Sequence, residues 1–302
     1  MALSFTQYAS ACQILADNRL DVVAAPTATH GLAWLRGAVS RFSRGGTHAR
    51  RRELAAHALL AVRPDELRAA AVRLARGHAP STPPRDVPLA VLAQALGVRR
   101  PVQDQVALIT PGYFERPGGA GQSDVDDAVD ELVEAFGGDR DEATAARIGL
   151  LVQAHDATGG LVANALAALR LWQPAGTVAA VVAETLRHDP PVPVLRRQAL
   201  VDLESVDGHP ILAGTIVAVD VATANRDPAV FADPDRFDAG RHNLDRVLTF
   251  GAGLRPCPGR DHAMALATGT VEGTLRGPGS GTCGGGEDPG ELDRLAGHRP
   301  MA

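Results

Sequence analysis

Apolar residues recur along most of this chain every three to four positions, the period of a helix with one buried face. Residues 5–24 read as a short helix ending in a turn. Residues 32–76 are helical and basic, with the dense run THARRRELAAHALLAV. A Pro-rich linker, HAPSTPPRDVP, leads to a helix that ends at Leu96. Gly112 to Ser123 is rich in Gly and Pro and predicts a loop. Residues 124–136 predict an acidic amphipathic helix capped by Ser123 or Asp124. The longest helical pattern, 141–171, is apolar enough to run through the centre of the fold. Its middle, QAHDATGG, is polar and contains glycine. A helix over 176–188 stops at Pro190-Pro191. Strand character follows over 194–221, clearest in TIVAVDVAT. Residues 225–256 are mostly irregular. A last helix starts near Cys257 and fades by Leu275. From Gly277 onward the chain is Gly-rich and predicts disorder, with a possible short helix near Glu291. No internal repeat is visible. The expectation is a mainly α fold with a small β-sheet, one domain over 1–276 and a tail over 277–302.

Composition supports this and narrows the chemistry. The 302 residues are 45% hydrophobic but only 4% aromatic, so Ala, Leu and Val must build the core. A formal net charge of −5 argues against nucleic-acid binding through bulk charge. Apart from histidine, every basic residue is Arg, as GC-rich codon usage would give, so an arginine carries weight only at motif spacing. Cys12, Cys257 and Cys283 are too few and too irregularly spaced for a disulfide framework or a structural zinc site. They fit a reducing cytoplasm. No signal-peptide pattern and no membrane-spanning run occurs, so a soluble protein without membrane attachment is expected.

The richest chemistry lies in Phe250-Gly251-Ala252-Gly253-Leu254-Arg255-Pro256-Cys257-Pro258-Gly259. Two glycines before the cysteine permit positive φ angles and a tight loop. Such a loop aims backbone N–H groups at the sulfur, and a helix starting just beyond brings its positive end. Both favour a thiolate. Gly259 would let a flat cofactor or another helix approach closely. Alone, this cysteine would read as a buried thiol in a Gly/Pro turn.

The spacing FGxGxRxCxG resembles the haem-binding signature of the cytochrome P450 family. The resemblance implies haem b (iron protoporphyrin IX), with Cys257 as axial iron ligand. It also implies Phe250, Gly251, Arg255 and Gly259 around the cofactor, with Arg255 near a propionate. A thiolate opposite dioxygen promotes O–O cleavage. Glu184-Thr185-Leu186-Arg187 is similar to the family's ExxR pair. Asp233-Pro234-Asp235-Arg236-Phe237 is similar to its Pro-acid-Arg-Phe segment. Glu184, Arg187 and Arg236 would then form a buried network holding the cysteine loop. His48 and Arg52, one helical turn apart, resemble an HxxxR pair that binds a haem propionate, with Trp34 and Arg36 upstream adding to the likeness. Arg197 resembles another propionate ligand, with Arg196 as an adjacent competitor. His155-Asp156-Ala157-Thr158 resembles the oxygen-activating segment, which implies an acid and hydroxyl relay through Asp156 and Thr158. The family's threonine directly follows the acid; here Ala157 does. Either the helix bulges locally or Thr158 does not relay protons.

The resemblance runs from about residue 5 to residue 275 and implies an incomplete P450-like helical fold. An opening helix and first strand, part of the lid region between Gly97 and Ala143, and a closing hairpin are expected to be missing. The implied function is a bacterial-type monooxygenase acting on a small apolar substrate with electrons from a ferredoxin. Alternatives are a peroxide-using haem-thiolate enzyme, a non-catalytic partner protein and a decayed remnant.

Overall fold

A computed structural model describes residues 3–77, 83–115 and 121–277. The tail 278–302, with its expected disorder and short helix, lies outside the described residues. In chain order the elements are β1 (Leu3–Phe5), α1 (Tyr8–Ala16), β2 (Leu20–Asp21), α2 (Gly31–Ala38), α3 (Gly45–Leu60) and α4 (Pro64–Gly77). Next come α5 (Val87–Ala95), α6 (Gln103–Phe114), α7 (Gln122–Ala135), α8 (Glu142–Trp172) and α9 (Val178–His188). The chain continues through β3 (Val194–Ala199), β4 (Leu203–Val206), β5 (His209–Ile211), β6 (Ile216–Asp220), α10 (Val221–Ala224) and α11 (Arg260–Arg276). The fold is mainly helical with small sheets, as the apolar periodicity predicts. No described helix is long and apolar enough to cross a membrane.

Several boundaries differ from expectation, each for a local reason. The basic stretch 32–76 is broken twice, by a tight 3₁₀ turn at Ser40–Phe42 and before Pro64, the first residue of α4. Gly112 is helical rather than loop. The last carbonyls of α6 are capped by Arg36, which donates to Gly112 O at 3.1 Å and also to Tyr113 O and Glu115 O. That tertiary cap extends the helix past Pro111. A Cβ at Gly112 would meet Leu32 Cδ2 at 2.8 Å, so the missing side chain lets α2 close on α6. Helix α7 starts after Gly121, at φ +86°, with no side-chain cap; neither Ser123 nor Asp124 plays that part. Leu3–Phe5 forms a strand that the sequence reading lacks. Three residues are too few to show alternation, and parallel pairing with β6 holds them.

The main sheet has the order β1-β6-β3-β2. Alternation along β3 turns Arg196 outward and Arg197 inward, paired in register with Val217 of β6. Helix α8 starts at Asp141, which accepts from Thr144 N at 2.7 Å. Its first half packs into one apolar cluster through Ile148, Leu151 and Val152, and its second half into another through Leu161, Val162 and Ala165. The polar segment QAHDATGG falls between the two. The helix is continuous, with no bulge at Asp156.

One buried ion pair organises the irregular segment after α10. Glu184 and Arg187 share a face of α9, both side chains have 0% exposure, and Arg187 bonds the carboxylate at 2.6 and 2.9 Å. The remaining guanidinium donors go to Asn225 O at 3.2 Å, Pro234 O at 2.7 Å and Arg236 O at 3.1 Å. Glu184 also accepts from Asp238 N at 3.0 Å and from Arg241 Nε at 3.4 Å. The expected third member is therefore corrected. Arg236 contributes its carbonyl while its side chain is exposed, and Arg241 supplies the second guanidinium. Asn225 passes the restraint on, accepting from Leu248 N and donating to Thr249 Oγ1, both at 2.9 Å. Thr249 then donates to Leu186 O at 2.6 Å. The network thus ends one residue before Phe250.

Breaking this pair leaves a buried cation uncompensated. Glu184→Ala is expected to cost about 3–5 kcal/mol in chemical denaturation. Glu142→Ala, which removes a half-exposed partner of Arg50 and Arg51, should cost about 1 kcal/mol or less. Equal losses in the two variants would contradict the assignment.

Candidate functional site

The cysteine loop is built on backbone geometry that only glycine adopts cheaply. Gly251 has φ +72° and Gly253 has φ +63°. Gly251 N donates to Leu248 O at 2.8 Å, and Cys257 N donates to Phe250 O at 2.7 Å, closing the loop. A Cβ at Gly253 would lie 2.3 Å from Leu15 O, so its absence lets the loop lie against the end of α1. Gly259 caps α11 and its N–H points at the Cys257 sulfur. No helix backbone crowds Gly259: the nearest atom to an added Cβ would be Leu59 Cδ1 at 3.8 Å. The close helix approach allowed for in the sequence reading is therefore not seen.

Cys257 is open to solvent, yet burial among surrounding protein pushes its thiol pKa up. The Gly259 N–H and the charges of Arg52 and Arg41 pull the other way without overcoming it. The expected net stabilisation of a thiolate is thus not reached by the protein groups alone. Arg41 shows the same combination: its side chain is open, and burial lowers its pKa. Groups that are accessible and yet poorly solvated line a recess rather than an outer surface.

Beside this recess is a cleft of about 440 Å³. Its lining includes Asp21, Arg44, His48, Arg197, Leu254 and Arg255, so three residues selected from the sequence meet there. Arg197 is the distinctive one. It is 7% exposed, its hydrogen bond goes to the adjacent Arg196 O, and among the described residues no carboxylate pairs with it. Burial, followed by the nearby charge of Arg255, pushes its pKa down to about 10. Arg255 is partly committed, bonding Asp21 at 2.6 Å and donating to Ser43 O at 2.7 Å. Arg44 donates to Val22 O at 2.7 Å and to Gln198 at 2.6 Å. Arg52 donates to Pro256 O at 2.7 Å, tying α3 to the cysteine loop. Burial and the charges of Arg255 and Arg52 lower the His48 pKa against the pull of Asp21.

On α8 the structure does not unite the remaining pair. Asp156 is exposed and pairs with Arg85 at 3.5 Å, with His155 Nε2 at 3.7 Å, whereas Thr158 is 2% exposed. Two residues along an unbroken helix turn a side chain by about 200°, so the two cannot act as adjacent relay groups. Sequence reasoning missed Arg41, Asp21, Asn225 and Arg241. The first two lack motif spacing, and the others lie where the chain has no period.

The residues suit a haem group. An accessible sulfur carries a backbone N–H, and the adjacent cleft holds a buried guanidinium with no acid partner. The first fits an iron ligand, and the second fits a carboxylate such as a propionate.

Comparison with known proteins agrees. The Cytochrome P450 family matches residues 177–270, the stretch from α9 into α11. Cytochrome P450 140 of Mycobacterium bovis is 48% identical over 90 residues, covering 30% of this chain and 20% of that protein. The 20-oxo-5-O-mycaminosyltylactone 23-monooxygenase of Streptomyces fradiae is 35% identical over 133 residues, covering 40% and 31%. These matches thus span under a third of each curated relative. The structure of a thermophilic cytochrome P450 from Sulfolobus tokodaii superposes with a TM-score of 0.74 at 22% identity, covering 89% of this chain and 85% of that one. Residues 177–270 thus match the Cytochrome P450 family by sequence, and the fold is similar to solved cytochrome P450 structures over most of the chain.

Proposed function

We propose that the chain is a haem-thiolate monooxygenase that binds haem b through Cys257 and hydroxylates a small apolar molecule. Dioxygen supplies the oxygen, and a ferredoxin supplies the electrons. The observation that carries this reading is the accessible Cys257 sulfur, with the Gly259 N–H on it, next to the unpaired buried Arg197. The name of the Streptomyces fradiae relative supports the reaction class. The cytoplasm is the proposed compartment, in keeping with the reduced Cys12 and Cys257.

When bound, a thiolate-ligated haem supplies dioxygen activation and O–O cleavage. The protein's own part is positioning. Cys257 would ligate the iron, and the Gly259 N–H would bear part of the sulfur's negative charge. Phe250 and Gly251 shape the loop that carries it, Phe250 by accepting from Cys257 N. Arg197, His48, Arg52 and Arg255 would bind the propionates. Glu184, Arg187 and Arg241 hold the loop from behind. Asp156 would bring protons from solvent, being the exposed acid of the polar α8 segment.

A second reading has one observation in its favour. With Ala157 after the acid and Thr158 buried away from it, α8 lacks an adjacent acid and hydroxyl. A peroxide-using enzyme needs no such relay, because its oxidant already carries both protons and electrons. Turnover driven by hydrogen peroxide without a ferredoxin would favour it.

The reduced, carbon monoxide-bound absorption spectrum tests the ligand. Wild-type protein should give a thiolate-type Soret band that Cys257→Ala abolishes; survival of the band would show another ligand. Arg197 offers an independent test. Its folded pKa lies below its unfolded value, so its charge opposes folding at every pH below about 10. Arg197→Gln should stabilise the haem-free protein by about 1 kcal/mol. The same change should weaken haem binding about tenfold, the loss of one charge-assisted bond. Unchanged haem affinity would exclude Arg197 as a propionate ligand.

A further inference from the structure

Arg41 is a cation without an anion. It makes no hydrogen bond or ion pair among the described residues; its guanidinium lies 4.8 Å from the Phe114 ring centroid and 5.8 Å from that of Phe42. It is open to solvent but inside the recess, within electrostatic range of both Tyr113 on α6 and Cys257. Apart from Arg197, which is also within electrostatic range, the other arginines near it are occupied. Arg36 caps α6, Arg44 and Arg52 hold backbone carbonyls, and Arg255 holds Asp21. Arg41 is also absent from the lining of the cleft that contains Arg197.

The wall behind Arg41 is aromatic. The Tyr113 hydroxyl is fully buried and has no hydrogen-bond partner among the described residues. Its ring packs edge-on against Phe42 at 5.1 Å and Phe114 at 5.3 Å, the same two rings that flank Arg41. A poorly solvated guanidinium and a spare phenol donor therefore share one aromatic wall. Leaving the guanidinium unpaired is costly, and a carboxylate would satisfy it. The aromatic wall suits an apolar body attached to it.

We infer that Arg41 anchors a carboxylate of the substrate, which makes that substrate an amphipathic carboxylic acid rather than a wholly apolar molecule. The inference rests on the monooxygenase reading, because the substrate occupies the same recess as the Cys257 sulfur. Arg41 would act as a specificity-determining residue that fixes one end of the molecule and takes no part in the chemistry.

Isothermal titration calorimetry of the haem-loaded protein with dodecanoate and with dodecan-1-ol tests it. Wild-type protein should prefer dodecanoate by about tenfold, as one charge-assisted contact gives. Arg41→Gln should remove that preference while leaving dodecanol affinity unchanged, and Arg41→Lys should keep part of it. Equal binding of acid and alcohol by the wild type, or an unchanged preference in Arg41→Gln, would overturn the proposal. So would a lowered haem content in Arg41→Gln with the acid preference intact, which would make Arg41 a propionate ligand. Calorimetry reads binding without turnover. A protein that prefers dodecanoate and yet hydroxylates nothing would sink the monooxygenase reading and leave the anchor standing.

Discussion

The ion pair between Glu184 and Arg187 is the constraint on which the rest of the site depends. A buried pair of this kind adds little net stability, because desolvating both charges offsets their attraction. Its value here is positional. The segment from Asn225 to Pro256 has almost no regular structure to fix it, and its backbone groups need partners. Arg187 takes three of its carbonyls, and Glu184 takes the N–H of Asp238 and the guanidinium of Arg241. Through Asn225 and Thr249 the restraint reaches the residue before Phe250. Gly251 and Gly253 then allow a turn tight enough to lie against Leu15 and present Cys257 to the recess.

The recess and the cleft beside it are built against stability. Arg197 is buried without an acid, Arg41 is poorly solvated without one, and Arg255 shares Asp21 with a crowd of like charges. Groups left in this state oppose folding unless an anion joins them. That cost is understandable if the chain folds around a dianionic cofactor and an anionic substrate end. Haem binding would then be coupled to stability through the same guanidinium groups that orient it.

Much of this was legible in the sequence, and the exceptions have physical causes. The long α8 shows its period, whereas the inward turn of Arg197 over Arg196 is settled by the pairing of β3 with β6 and not by the sequence. The cysteine loop is readable because its glycines are needed for backbone reasons and its spacing is dense. His48, Arg197 and Arg255 come from distant parts of the chain, and the fold brings them to one cleft. Arg241 was hidden because an irregular segment gives no rule for which of its arginines turns inward. The helical state of Gly112 depends on Arg36, a tertiary cap that local pattern cannot reveal. The separation of Asp156 from Thr158 follows from helix rotation, since α8 runs unbroken through both. Arg41 has no motif at all, and only its lack of partners draws attention to it.

The central claim is that this scaffold presents the Cys257 sulfur to a haem iron. X-ray absorption at the iron edge of the haem-loaded protein tests it most directly. A sulfur atom in the iron's coordination shell, lost in Cys257→Ala, is the predicted result. A shell of nitrogen and oxygen alone in the wild-type protein would contradict it.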